Sequence, residues 1–235
     1  MTVPQLPLAL RYPPDQRFET FVSAPAGALA QLRALAGEGG GDAVFVAGPA
    51  GAGKTHLLLA TCAEAERAGR RVAFVPLAAV AGRLSEALVA LEGHDLVALD
   101  GLEAVSGTRA DEVALFDAHN RARAAGTGLL YAARANPADL ALGLPDLRSR
   151  LSQCARVVLS ALDDEGRREV LAQRARRRGL VLDEAALDWL LRRQGRDLGG
   201  LAAVLDRLDK ASLAAQRRIT VPFLRQILGS VDATP

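Results

Sequence analysis

AVFVAGPAGAGKT, residues 43–55, decides the fold of this chain. A short apolar run, AVFVA, reads as a buried strand, and it runs straight into GPAGAGKT. That second stretch matches G-x-x-x-x-G-K-[ST] at every fixed position, between a strand and a helix, where the motif has a mechanism. The glycines let backbone N–H groups wrap phosphates, and the helix opening at Lys54 adds the positive end of its dipole. Gly48, Pro49, Ala50, Gly51, Ala52, Gly53, Lys54, Thr55 and His56 are therefore the candidate cradle for ADP or ATP. Lys54 is read as the cation on the β- and γ-phosphates, and the Thr55 hydroxyl as a ligand of Mg2+. The competing reading, a glycine-rich turn that binds nothing, does not account for the strand before it and the helix after it.

Outward from this motif, β-like runs alternate with longer helical ones. RVAFVP (71–76), DLVALD (95–100), GLLYAA (128–133) and RVVLS (156–160) join residues 43–47 as candidate strands. Helical patterns cover 24–36, 54–68, a stretch reaching 91, and 111–125. Apolar strands in strict alternation with helices predict an α/β domain, a five-stranded parallel sheet covered on both faces. After Ser160 the strand signal stops. Helices are predicted over 163–178, 183–193, 197–216 and 220–228, a small all-α lid. The expected organisation is an extended proline-rich arm over 1–17, the α/β domain over 18–160 and the lid over 161–235.

In LVALDGLEAV (96–105) the third strand delivers Asp100, the expected second contact to magnesium. The plainer alternative is an aspartate that caps a turn. The next position, where many ATPases place an acid that directs water, is Gly101. Glu103 is acidic but three residues along; it need not face the same way, yet it could still reach a water. Hydrolysis by the chain itself is expected to be weak or absent.

Composition narrows the classes. The chain has 235 residues, 50% of them hydrophobic and 24% charged, as in a folded globular protein. Its net charge is +2, so no global field points to a nucleic acid. Arg174, Arg176, Arg177 and Arg178 read as a solvated helix face rather than a phosphate track. Cys62 and Cys154 fit no metal or disulfide pattern. No apolar run reaches membrane-spanning length, and no basic leader precedes an apolar segment, so a cytoplasmic location is expected.

Three further stretches carry a resemblance. QLPLAL (5–10), LALGLPDLRSRL (140–151) and LDRLDKASLAAQRRITVPFLRQIL (205–228) resemble the Hda-type regulatory inactivators of DnaA. These are AAA+ homologues of the bacterial replication initiator that lack its terminal DNA-binding domain. The likeness covers nearly the whole chain. It implies that Gln5, Leu6, Leu8 and Leu10 dock in the hydrophobic groove of the DNA polymerase sliding clamp. It also implies that Arg150 is an arginine finger, acting in trans on ATP held by DnaA. Taken alone, the arm could equally pack on its own domain, and Arg150 could make an ordinary surface ion pair. Arg148 has no counterpart in the family pattern.

Departures from the family follow one direction. The polar sensor after the fourth strand falls in YAARANP, where Ala132, Ala133 and Arg134 stand, with Asn136 shifted. In the lid, Gly199 takes the place of an arginine aimed at the phosphates. The expectation is a regulator that holds nucleotide, ADP in preference, and activates another protein's ATPase. The alternatives are a helicase-loader type of ATPase acting on single-stranded DNA, and an assembly module with no catalytic role. Neither a helix-turn-helix after Leu228 nor interleaved aromatic and basic residues is present, so sequence-specific DNA binding is not expected. Homo-oligomerisation stays open.

Overall fold

The computed structural model describes residues 16–37, 41–194, 204–205, 207–209 and 219–229. The predicted strands form as β1 (Ala43–Ala47), β2 (Val72–Pro76), β3 (Leu96–Asp100), β4 (Gly128–Ala133) and β5 (Ala155–Val158). They make one five-stranded sheet in the order β2-β3-β4-β1-β5, and every neighbouring pair is parallel. All five residues of β1 are buried, as its uninterrupted apolar run requires of a strand covered on both sides. Pro76 closes β2 on the sheet edge, where proline is tolerated in a strand.

The helices of this unit are α1 (Ala28–Ala36), α2 (Lys54–Arg67), α3 (Leu84–Val89), α4 (Arg109–Ala125) and α5 (Pro145–Ser152). Phe45, Val97, Leu99, Leu129 and Tyr131 form one core with Leu84 and Leu88 of α3, Leu115 of α4, and Leu147 and Leu151 of α5. The intervening Val44, Val46, Leu96, Ala98, Leu130 and Ala132 are buried as well, on the face where α1 meets β1 and α2 meets β2, β3 and β4. α1 starts at Ala28 rather than the expected residue 24, because Gly27 sits at φ 76°, outside helical space. The stretch expected to be helical up to residue 91 is a 3-10 turn, Leu77–Ala79, followed by the short α3. The sequence pattern does not reveal α5. It begins with Pro145 in its first turn, pre-set for a helix start.

The chain folds as two compact units, the α/β one ending at Leu159 and a helical one taking in everything from Ser160, with Thr20–Ala24 and Pro49–Ala52. In the helical unit, α6 (Asp164–Arg177), α7 (Glu184–Gln194) and α8 (Val221–Gly229) are described, with residues 204–205 and 207–209 also helical. Asp163 and Asp183 cap α6 and α7, accepting from the N–H groups of Gly166 and Ala186 at 2.8 and 2.7 Å. Leu171, Leu187, Leu190, Leu205, Leu208 and Leu224 share its apolar core. An isolated parallel bridge, Leu182 to Ile219, is the one strand-like pairing found there among the described residues. Within the arginine cluster, Arg176 pairs with Glu169 at 2.9 Å and Arg178 donates to the carbonyl of Arg174 at 3.3 Å. That fits a solvated helix face.

Candidate nucleotide site and arginine finger

In a parallel sheet, ligands are met at the carboxyl ends of the strands, and the cradle leaves the carboxyl end of β1. Gly48 has to be glycine. A Cβ there would lie 2.7 Å from the carbonyl oxygen and 2.9 Å from the Cβ of Leu159. The residue is clamped by its own N–H to the carbonyl of Ala133 at 3.2 Å. Gly51 and Gly53 take φ of 77° and 93°, which bends the loop before α2 begins at Lys54. Lys54 Nζ donates to the carbonyl of Gly48 at 2.7 Å, so the ammonium lies over the loop it would serve. Burial pulls the Lys54 pKa down, partly offset by the charges of Glu103 and Asp100.

The Thr55 hydroxyl donates to Asp100 Oδ2 at 2.6 Å. The two residues read as magnesium ligands, 45 positions apart, are thus adjacent at the ends of α2 and β3. Burial raises the Asp100 pKa against the opposing Thr55 hydrogen bond and Lys54 charge. A divalent cation would relieve that penalty, and the hydroxyl–carboxylate pair is the donor set magnesium takes beside phosphate oxygens. A phosphate-magnesium group fits these residues. His56 lies next along α2, with Nε2 2.8 Å from the carbonyl of Arg17.

Gly101 adopts φ 83° as β3 gives way to a 3-10 turn, Leu102–Ala104. That left-handed backbone disfavours the acid that many ATPases carry here. Glu103, inside the turn, is taken up elsewhere: its Oε1 is 3.0 Å from Arg134 Nε, and its Oε2 accepts the Arg134 N–H at 3.3 Å. Arg134, expected to stand at a sensor position, thus pairs with Glu103. Asn136 donates to Asp139 at 3.4 Å, and its Oδ1 is buried without a partner among the described residues.

Arg150 is on α5, exposed, and lines a cavity that also touches Ala43, the first residue of β1. The phosphate loop follows the other end of that strand. Five strand residues span about 13–17 Å, more than an arginine side chain covers. Arg148, two positions earlier, is half-buried and donates to the carbonyl of Leu142, a tie from α5 to the loop before it. The α5 region has a support invisible in the sequence: Glu112 in the first turn of α4, 1% exposed. Its carboxylate accepts the N–H groups of Gly107 at 2.7 Å, Gly143 at 3.0 Å and Leu144 at 2.6 Å. Burial pushes this carboxyl up, but the three N–H donors and the Arg109 charge outweigh it, and its net pKa is lowered. Gln5, Leu6, Leu8, Leu10 and Gly199 lie outside the described residues.

Comparison with known proteins agrees with this layout. Residues 164–228 match the family described as the lid domain of Hda, and residues 2–117 match the IstB-like ATP binding proteins. Domain III of the replication initiation protein DnaA from Thermotoga maritima superposes with a TM-score of 0.77 at 19% identity, covering 94% of this chain and 98% of that one. AMPPCP-bound DnaA from Aquifex aeolicus gives 0.66 at 22% identity, covering 86% and 67%. The RuvB Holliday junction branch migration motor of Thermotoga maritima gives 0.65 at 18% identity, over 93% and 73%. At these identities the structural likeness is one of fold. No helix among the described residues is long and apolar enough to cross a membrane.

Proposed function

We propose, from the premise that this chain is an AAA+ protein of the Hda and DnaA type, that it holds ADP or ATP as a structural ligand and lends Arg150 to ATP bound by DnaA. The coarser assignment, a DnaA-related replication regulator, rests on the lid family and the fold together. In the finer reading the nucleotide sits on residues 48–56, with Lys54 on its phosphates and Thr55 and Asp100 on magnesium. Bound there, magnesium would neutralise part of the phosphate charge. The arm residues Gln5, Leu6, Leu8 and Leu10 engage the sliding clamp. A proline-restricted extended peptide loses little entropy on docking, and alternating leucines offer apolar anchors.

The observation that carries this reading is the position of Arg150 at the opposite end of β1 from its own phosphate loop. A guanidinium so placed addresses another molecule's phosphate or none. The Glu103–Arg134 pairing supports weak turnover at the chain's own site, against the helicase-loader alternative. A finger supplied in trans is worth about 10³–10⁵ in rate where GTPases have been measured. Arg150→Ala is expected to fold and to bind nucleotide and clamp, yet to leave DnaA-bound ATP unhydrolysed in the presence of DNA-loaded clamp. Arg150→Lys is expected to be nearly as defective, since an ammonium lacks the planar fork of donors. Full stimulation by Arg150→Ala refutes the trans role. DNA-stimulated turnover by the chain alone favours the helicase-loader reading.

A further inference from the structure

The cavity that Arg150 lines carries a second cation. It has a volume of about 220 Å³ and is bounded by Ala43, His119 and Arg123 of α4, and Arg150, Gln153 and Cys154 at the end of α5. Neither the Arg123 nor the Arg150 guanidinium makes a hydrogen bond or an ion pair among the described residues, and both are exposed. No carboxylate lines the cavity. Two like charges facing one space repel, and the arrangement is relieved by an anion between them. The other residues that line it bear no charge at neutral pH. His119 is 5% exposed, with Nδ1 3.0 Å from the Tyr131 hydroxyl, and Gln153 offers an amide that bonds only weakly to Ser149, at 3.4 Å. An arginine in the last turn of α4 does complement the helix dipole. That accounts for a positive charge, but not for its sharing a cavity with a second unpaired guanidinium.

We propose that Arg123, Arg150 and Gln153 form one phosphoryl-binding pocket, in which Arg123 is a second cation on the oxygens that Arg150 addresses. This deepens the trans-finger reading and rests on it. A phosphoryl group in transfer spreads charge over three equatorial oxygens, more than one guanidinium fork can serve. At about 30 Å³ per liquid water, the cavity admits a phosphate-sized group with water beside it. The amide of Gln153 adds a neutral donor that does not compete for charge.

Two measurements test the pocket. In the first, inorganic phosphate is titrated into the chain with its own cradle saturated by magnesium and ADP, and the ring protons of His119 are followed by NMR. A saturable shift is expected. It should weaken about tenfold in Arg123→Ala and in Arg150→Ala, the loss of a charge-assisted hydrogen bond in each. In the second, Arg123→Ala and Arg123→Gln are assayed for stimulation of DnaA-bound ATP hydrolysis. The stimulated kcat should fall about tenfold or more with the half-saturating concentration little changed, and Arg123→Lys should recover part of it as a point charge. Unfolding temperatures equal to the parent's confirm that fold is untouched. If phosphate leaves His119 unmoved, or binds equally to Arg123→Ala, the pocket is refuted. If Arg150→Ala is inactive while both Arg123 variants stimulate fully, the second cation is refuted and the trans reading stands. If Arg150→Ala itself stimulates fully, the trans reading is what fails.

Discussion

Replacing Glu112 with glutamine tests how the segment bearing Arg150, the proposed finger, is held. Glu112 Oε1 accepts from Gly107 and Gly143, and Oε2 accepts from Leu144, all in a site 1% exposed. Glutamine keeps one acceptor oxygen. With that oxygen toward Gly107 and Gly143, its NH2 confronts the Leu144 N–H, and a buried donor loses its charged partner. One lost charge-assisted bond plus an unsatisfied buried N–H amounts to roughly 3 kcal/mol. For a chain of this size that is a fall in Tm of about 6–12 °C. Glu112→Ala should fall further, because it strands all the N–H donors. The pH dependence has a definite sign. The folded carboxyl titrates below its ordinary 4.5, so its contribution is complete above 4.5 and is lost as pH falls through the lowered value. The gap between parent and Glu112→Gln, read by thermal unfolding, should therefore be constant near neutrality and narrow in acid. A glutamine variant melting within a degree of the parent at pH 7 would refute the reasoning.

Other expectations follow from the same geometry. Free ADP at a thousand times its dissociation constant should stabilise the chain by about 4 kcal/mol, and Lys54→Ala should abolish most of that shift; thermal unfolding with and without nucleotide decides it. Alanine at both Gln5 and Leu6 should sharply weaken binding to the sliding clamp without altering Tm, and clamp binding equal to the parent's would assign the arm another use. Burial, with the Arg123 and Arg150 charges, lowers the His119 pKa from 6.5 to about 4. Between those values the unfolded chain takes up a proton that the folded one refuses, so stability should fall by roughly 3 kcal/mol from pH 6.5 to 4. His119→Gln should flatten that part of the profile, and an unchanged slope would discount the histidine.

Much of the fold is legible in the sequence because its signals are local. The all-apolar AVFVA followed by GPAGAGKT defines both a buried strand and its turn, and LVALD announces Asp100 by its position at a strand end. Helix ends move where backbone conformation overrides composition, as at Gly27, whose positive φ delays α1. α5 escapes because eight residues carry too little periodicity against a flanking run of Gly and Pro. Glu112 escapes for another reason. Its partners are backbone N–H groups at residues 107, 143 and 144, which have no side-chain signature. The Glu103–Arg134 pair joins positions 31 apart, and only the parallel pairing of β3 with β4 brings them together. Asp100 to Thr55 follows from the same logic of strand ends, and there the motif supplies the missing distance.

The joined pair of Glu103 and Arg134 bears on how readily an acid could be placed at position 101. An acid installed at position 101 inherits a φ of 83° and the strain, about 1–2 kcal/mol, that left-handed backbone imposes on a side chain. It also enters beside a carboxylate already matched by its cation, adding unpaired negative charge next to Asp100. Changing Arg134 first instead frees Glu103 and leaves Asp100 facing a second acid. Either first step is unfavourable, and the two together add one negative charge and remove one positive charge beside Asp100. A lineage carrying this pairing is thus held to it as by a ratchet, and single substitutions sampled one at a time do not lead back.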